Sequence, residues 1–318
     1  MNSFGRKFRV SIFGESHGPF IGVVLDGVPA GIALSVEDFA QDLSRRASSG
    51  RFTTARREQD VPQLLSGVFN GFTTGAPLTV AFANLDVCST DYQQDVPRPG
   101  HADYPAHIRF GGFEDYRGGG HFSGRLTAAV VAAGVVARKM LPEVVLSSEI
   151  VAIGGSSDKS LWDKLLAEAA AVGDSLGAVV SCRADGLPVG LGEPFWDSVE
   201  SLISHAVFAI PGVRGIEFGD GFAAAAMRGS QHNDALCETG PVSNGAGGVN
   251  GGLTNGAPLV FRVAFKPTSS ISLGQQSFDF KTNTPAELNV HGRHDVCFAL
   301  RCPVIVEAMT AIVLADLL

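Results

Sequence analysis

The chain nearly repeats itself, and this limits its fold more than any single motif does. LDGVPAGIAL, from Leu25 to Leu34, has a counterpart in ADGLPVGLGE, from Ala184 to Glu193, with Asp26 and Asp185 lying 159 positions apart. GFTTGAPLTVAF, from Gly71, matches GGLTNGAPLVFRVAF, from Gly251. RLTAAVVAAGVVARKML, from Arg125, parallels RCPVIVEAMTAIVLADLL, from Arg301. Each match alone is ordinary turn or helix chemistry. Three in the same order imply two related halves, roughly residues 1–150 and 151–318, of one domain spanning 1–318.

Within each half the pattern is the same. A period-two strand such as FRVSIF leads to a turn and a surface helix, SVEDFAQDLS or WDSVESLISH. A strand pair around G-A-P-L follows, then a helix apolar on nearly every side. Helices without a polar face belong in a protein's interior. The expected fold is α+β: a β-α-β sandwich with an internal pseudo-twofold repeat, its paired central helices lying between two antiparallel sheets. The βαβ rhythm and G-x-G-x-x-G fingerprint of a dinucleotide domain are missing. At 318 residues, 45% of them hydrophobic, the chain can bury a large core.

The five cysteines, Cys88, Cys182, Cys237, Cys297 and Cys302, lack C-x-x-C spacing and read as reduced and mostly buried. The longest apolar stretch meets Arg138 and Lys139 well short of the roughly 20 residues a bilayer needs. Glu15 interrupts any N-terminal signal region. A cytoplasmic protein with no membrane partner is expected.

Residues 44 to 57, SRRASSGRFTTARR, concentrate Arg45, Arg46, Arg51, Arg56 and Arg57 in a chain of formal net charge -8. Charge runs are commonly solvated helix ends. Here, however, 18 Arg accompany only 6 Lys, and the guanidinium fork suits carboxylates and phosphates. The implied ligand is a small polyanion. Nucleic acid is not expected, because the chain is acidic and only Phe52 interleaves with these cations.

Other stretches could carry chemistry. GESHG, Gly14 to Gly18, fits the G-x-S-x-G nucleophile elbow formally, but the β-rich PFIGVVLDGVP follows where a helix is needed. His17, held between glycines at a strand end, could serve as a general acid. RPGHAD fixes His101 in a rigid turn beside charged residues, and GRHD places Asp295 ahead of the last helix. GGGHFSGR, Gly118 to Arg125, reads equally as an anion cradle at a helix start or as glycines allowing close helix packing. KPTSS, Lys266 to Ser270, sets a cation beside hydroxyls.

Taken in order, FGESHG, SRR with GRFTTARRE, SGVFNGFTTGAPL, RPGHADY, DYRGGG, RGSQ, KPTSSIS and GRHDVC resemble the chorismate synthase family over nearly the whole chain. The resemblance implies a flavin-dependent lyase of the shikimate pathway, which serves aromatic amino acid biosynthesis. Such an enzyme eliminates phosphate from 5-enolpyruvylshikimate 3-phosphate to give chorismate, using reduced FMN (FMNH2). It implies a homotetramer, with NADPH or an external flavin reductase serving only to reduce the flavin. By position, the resemblance gives His17, His101, Asp295 and Ser16 catalytic roles. Flavin contacts fall to His121, Phe122, Ser123, Asn244, Gly245, Gly251, Lys266, Pro267, Thr268, Ser269, Ser270 and Arg293. Arg46 and Arg51 match anion-binding (NADP-type) arginines, and Arg45 and Arg125 substrate clamps. Where many members have GGGRSSARETA, this chain has GGGHFSGRLTA, which implies an altered flavin contact at His121, Phe122, Gly124 and Leu126. The chain is also shorter than many members, chiefly after Ile153.

Overall fold

A computed structural model describes residues 2–47, 50–53, 60–85, 93–238, 240–290 and 294–318. Arg56, Arg57, Cys88 and Arg293 lie outside them.

Two antiparallel sheets form the outer layers. The first runs in the order Ser3–Phe4, Arg9–Gly14, Phe20–Asp26, Leu78–Ala83, Gln63–Ser66. The second runs Val145–Ile153, Ala178–Asp185, Leu259–Phe265, Val213–Phe218. Apart from the extra edge strand Ser3–Phe4, the orders match strand for strand. Even the irregularities correspond: the last strand of each sheet shifts register, between Leu64 and Ser66 and between Val213 and Gly215.

The repeated sequence explains the repeated turn. In the first half Thr73 Oγ1 donates to the Pro29 carbonyl at 2.6 Å and accepts from Ile32 N–H at 2.9 Å. In the second, Thr254 Oγ1 donates to the Pro188 carbonyl at 2.5 Å and accepts from Leu191 N–H at 2.9 Å. Both threonines are buried. A buried hydroxyl that closes each D-G-x-P-x-G turn in this way satisfies backbone groups the turn would otherwise strand.

Between the sheets lie two central helices, Thr127–Lys139 and Pro303–Leu317. They pack on each other, the first backing the first sheet and the second backing the second. Thr127 to Ala137 and Val304 to Ala315 are buried without a break, as expected of helices apolar all round. The flanking helices Ala40–Arg46 and Val199–Val207 pack against them. One apolar cluster draws residues from both halves. Among the described residues no helix is long and apolar enough to cross a membrane.

One charge interrupts this interior. Glu307, in the second central helix and 3% exposed, accepts two hydrogen bonds from Arg45, both at 2.7 Å, and one from Ser148 Oγ at 2.6 Å. Arg138 and Asp42 complete the group. Paired in this way, the buried carboxylate is tolerated.

The central helices meet where a side chain would not fit. A Cβ on Gly134 would fall 2.4 Å from Ala308 Cβ and 2.6 Å from its Cα. Alanine ordinarily favours a helix interior over glycine by about 1 kcal/mol, whereas overpacking a dense core costs about 1–3 kcal/mol. Gly134→Ala is therefore expected to lower the urea midpoint; a rise would mean that the helices do not touch there.

Candidate active site

A cleft of about 1380 Å³ opens where several loops converge on the residues leading into both central helices, Gly124–Thr127 and His294–Arg301. Its size exceeds that of common single-ligand pockets.

The cleft's cationic floor is made by Arg46 and Arg125, both buried. They share one carboxylate, Asp60: Arg46 donates to Oδ2 at 2.7 Å, and Arg125 forms a short ion pair with Oδ1. Each arginine is also anchored elsewhere. Arg46 Nε donates to Thr127 Oγ1 and Arg125 Nε to Asn84 Oδ1, each at 3.0 Å. Arg51 lines the cleft mouth with its guanidinium 5.3 Å from the Phe52 ring centroid.

Arg45 does not join them. Successive helix residues project about 100° apart, so when Arg46 faces the cleft its neighbour turns into the Glu307 cluster. The expected substrate clamp is thus paired with Glu307, away from the cleft.

His101 forms the second focus. Its Nδ1 lies 2.5 Å from Asp103 Oδ1, and Arg98 binds the same carboxylate through Nε at 2.7 Å and Nη2 at 2.9 Å. An ionised carboxylate only accepts, so the short contact assigns the proton to His101 Nδ1. Burial lowers the His101 pKa from its ordinary value, against the pull of Asp103, and the Arg98 and Lys266 charges push the same way. For Asp103 burial acts to raise the pKa, but the hydrogen bonds from His101 and Arg98 outweigh it and hold the carboxyl far below its ordinary range.

The KPTSS loop docks on this turn. Lys266 Nζ donates to the Gly100 carbonyl and to Ser269 Oγ, both at 2.5 Å, and Arg98 donates to Ser270 Oγ at 3.0 Å. Burial and the nearby charge of Arg214 lower the Lys266 pKa. Thr268 Oγ1 is buried with no hydrogen-bond partner among the described residues.

The glycine run explains itself at this point. Gly118, Gly119 and Gly120 all adopt positive φ, at 58°, 81° and 52°, where a side chain is strained. A Cβ on Gly118 would lie 2.3 Å from His17 Cε1 and 2.8 Å from Ser16 Oγ; one on Gly119 would lie 2.9 Å from His101 Cε1. The groups packed against these glycines are His17, Ser16, His101 and the Asp115 carbonyl, not a helix. The glycines thread between the two histidines.

Ser16 lines the cleft, fully buried, with its Oγ lacking a partner among the described residues. His17 sits one layer back, behind Gly118. Strand Arg9–Gly14 turns directly into strand Phe20–Asp26, so no helix follows Ser16 and the nucleophile elbow is absent. His121 Nδ1 donates to the Gly14 carbonyl at 2.7 Å, tying the glycine loop to the same strand end. Phe122, Ser123 and Pro267 join the wall, as does Asp295, whose Oδ2 accepts from Arg301 at 2.5 Å.

Asn244, Gly245 and Gly251 are not among the lining residues. Asn244 donates to the Pro258 carbonyl at 2.8 Å, the Gly245 N–H donates to Asp234 at 2.8 Å, and Gly251 turns a short hairpin. Conversely, sequence reasoning assigned nothing to Asp60, Arg98, Asp103, Arg214 or Arg301. Only the charges flanking His101 hinted at any of them.

A cleft of clustered arginines and a histidine–aspartate pair, carried on a duplicated β-α-β sandwich, defines an enzyme for small, highly anionic molecules. The family model described as chorismate synthase matches residues 8–318. A chorismate synthase of Chitinophaga pinensis is 55% identical over 321 residues, covering 99% of this chain and 96% of that one. One from Dehalococcoides mccartyi is 44% identical over 351 residues, covering 99% and 96%. A crystal structure of chorismate synthase superposes with a TM-score of 0.77 at 29% identity, over 99% of this chain and 92% of the other. The chain belongs to the chorismate synthase family. Its reaction is the anti-1,4-elimination of phosphate from 5-enolpyruvylshikimate 3-phosphate, giving chorismate with no net redox change; the family uses a reduced flavin.

The lowered His101 pKa has a measurable sign. Between the folded value and the ordinary 6.5 the unfolded chain binds more protons. The stabilisation is complete above 6.5 and is lost as pH falls below it. Stability read from urea midpoints should therefore fall more steeply from pH 7 to pH 5.5 in the wild type than in His101→Gln. Equal slopes would remove His101 as the cause.

Proposed function

We propose that the cleft holds reduced FMN and the substrate together, with the arginines binding the anions and His101 and His17 managing protons. The convergence of Arg46, Arg51, Arg125, Arg214 and Lys266 on one cleft beside the His101–Asp103 pair carries this reading. The residues fit a flavin mononucleotide. The volume admits two ligands, Lys266 and Arg214 suit a phosphate, and the Ser16 and Thr268 hydroxyls lack internal partners among the described residues. His121, Phe122, Ser123 and the Lys266–Ser270 loop would hold it.

Held there, reduced flavin would supply the electron density that loss of phosphate needs. The guanidinium groups stabilise the phosphate most as its charge develops. His101, with its Nδ1 proton held by Asp103, has Nε2 available to take up a proton when an anion binds nearby, which would set the flavin's protonation state. His17 acts as acid toward the leaving phosphate, which requires Gly118 to move aside. Asp295 and Ser16 assist transfer of the ring proton. Phe122 and His121 replace polar partners and alter the flavin contact. In a homotetramer, Asn244, Gly245 and Gly251, lying off this cleft, would complete a neighbouring copy's site. NADPH serves only to reduce flavin, through an external reductase, and the enzyme works in the cytoplasm.

The test is phosphate release from 5-enolpyruvylshikimate 3-phosphate, followed anaerobically with chemically reduced FMN. The wild type should turn over, and His17→Ala and His101→Ala should each lose about 10²–10⁴-fold. Absence of turnover despite FMN binding would overturn the functional reading. NADPH added anaerobically with oxidised FMN should leave the flavin absorbance unchanged; bleaching would rule out dependence on an external reductase.

A further inference from the structure

The arginine floor already contains an anion. Asp60, its side chain 5% exposed, sits between Arg46 and Arg125 and lines the cleft with them. Arg45, next to Arg46 in the chain, makes a similar pair with Glu307, but neither of those two lines the cleft. Glu307 is sealed in. Asp60 stands where a soluble oxyanion would bind.

The arginines do not depend on Asp60 for their placement. Arg46 is held by Thr127 Oγ1 through Nε and by the Gly124 and Arg125 carbonyls through Nη2, each at 3.4 Å. Arg125 is held by Asn84 Oδ1. Asp60 instead takes the Nη1 group of each. These terminal groups are the part of the fork suited to phosphate or carboxylate.

We infer that Asp60 is a built-in competitor for this site: its carboxylate occupies the Arg46–Arg125 pair until an oxyanion displaces it, and returns as phosphate leaves. This rests on the functional reading above and adds a specificity-determining residue to it. Two guanidinium groups alone would hold a dianion strongly in a cleft with low-dielectric walls. With Asp60 present, one of the two guanidinium charges is offset. Substrate with several anionic groups can still displace Asp60, whereas free phosphate, bound at one locus only, is held weakly and escapes.

The test titrates inorganic phosphate alone, by calorimetry, into wild type, Asp60→Asn and Asp60→Glu. Asp60→Asn is expected to bind phosphate on the order of tenfold more tightly, with a steeper salt dependence. Asp60→Glu, which restores the charge, should stay near wild type. In turnover, Asp60→Asn should be inhibited by correspondingly lower phosphate. Unchanged or weaker phosphate binding in Asp60→Asn would overturn the proposal, since a residue that merely positions the arginines would weaken binding when altered. Should Asp60→Asn fail to fold, a wild-type crystal soaked in phosphate decides. Phosphate on Arg46 and Arg125 with Asp60 turned away supports displacement, and phosphate elsewhere with both Asp60 bonds intact refutes it. Neither binding measurement needs flavin or turnover, so failure of the lyase reading would show separately, as absent phosphate release with Asp60→Asn still binding phosphate more tightly.

Discussion

The contact of Gly134 with Ala308 fixes the distance between the two central helices, and the rest of the structure is arranged around that distance. Backbones this close leave no room for a side chain at Gly134, so the two helices bury mostly aliphatic surface around that crossing. Each helix can then carry a sheet on its outer side. Because the residues leading into both helices line one cleft, helix spacing also sets the separation between Arg125 on one entrance and Asp295 on the other.

Electrostatics works locally against an unfavourable total. The chain is acidic, yet many of its guanidinium groups sit in discrete clusters, each with at least one carboxylate: the partly exposed Arg45 and Arg138 with Glu307 and Asp42, the buried Arg46 and Arg125 with Asp60, and Arg98 with Asp103. Desolvating a bare cation would be costly. What distinguishes the clusters is access. The first lies off the cleft with its carboxylate Glu307 sealed in, while the other two border the cleft, and of these the Asp60 pair is the one an external anion could take over.

Much of the fold was legible in the sequence. The D-G-x-P and G-A-P-L matches mark turns whose geometry is repeated down to the Thr73 and Thr254 hydroxyl bonds, and the apolar stretches marked the central helices. Turns and periodicity are local properties, and local properties are written in consecutive residues. The site was less legible because it is assembled from distant loops. Nothing in RPGH or KPTSS announces that Lys266 caps the Gly100 carbonyl. Arg45 and Arg46 look interchangeable in a line of letters, and only helical rotation separates a salt bridge to Glu307 from a cleft wall. Asp60 carried no pattern at all; its meaning comes from Arg125, far away in the chain.

The duplication has one conspicuous break. Strands Arg9–Gly14 and Phe20–Asp26 are joined by the short turn that carries Ser16 and His17, but their counterparts, Val145–Ile153 and Ala178–Asp185, are joined through the helix Trp162–Ala171. The second half is therefore a sibling of the first without its reactive tip. It offers an internal reference, folded under the same conditions and in the same molecule, for what that tip costs the scaffold that bears it.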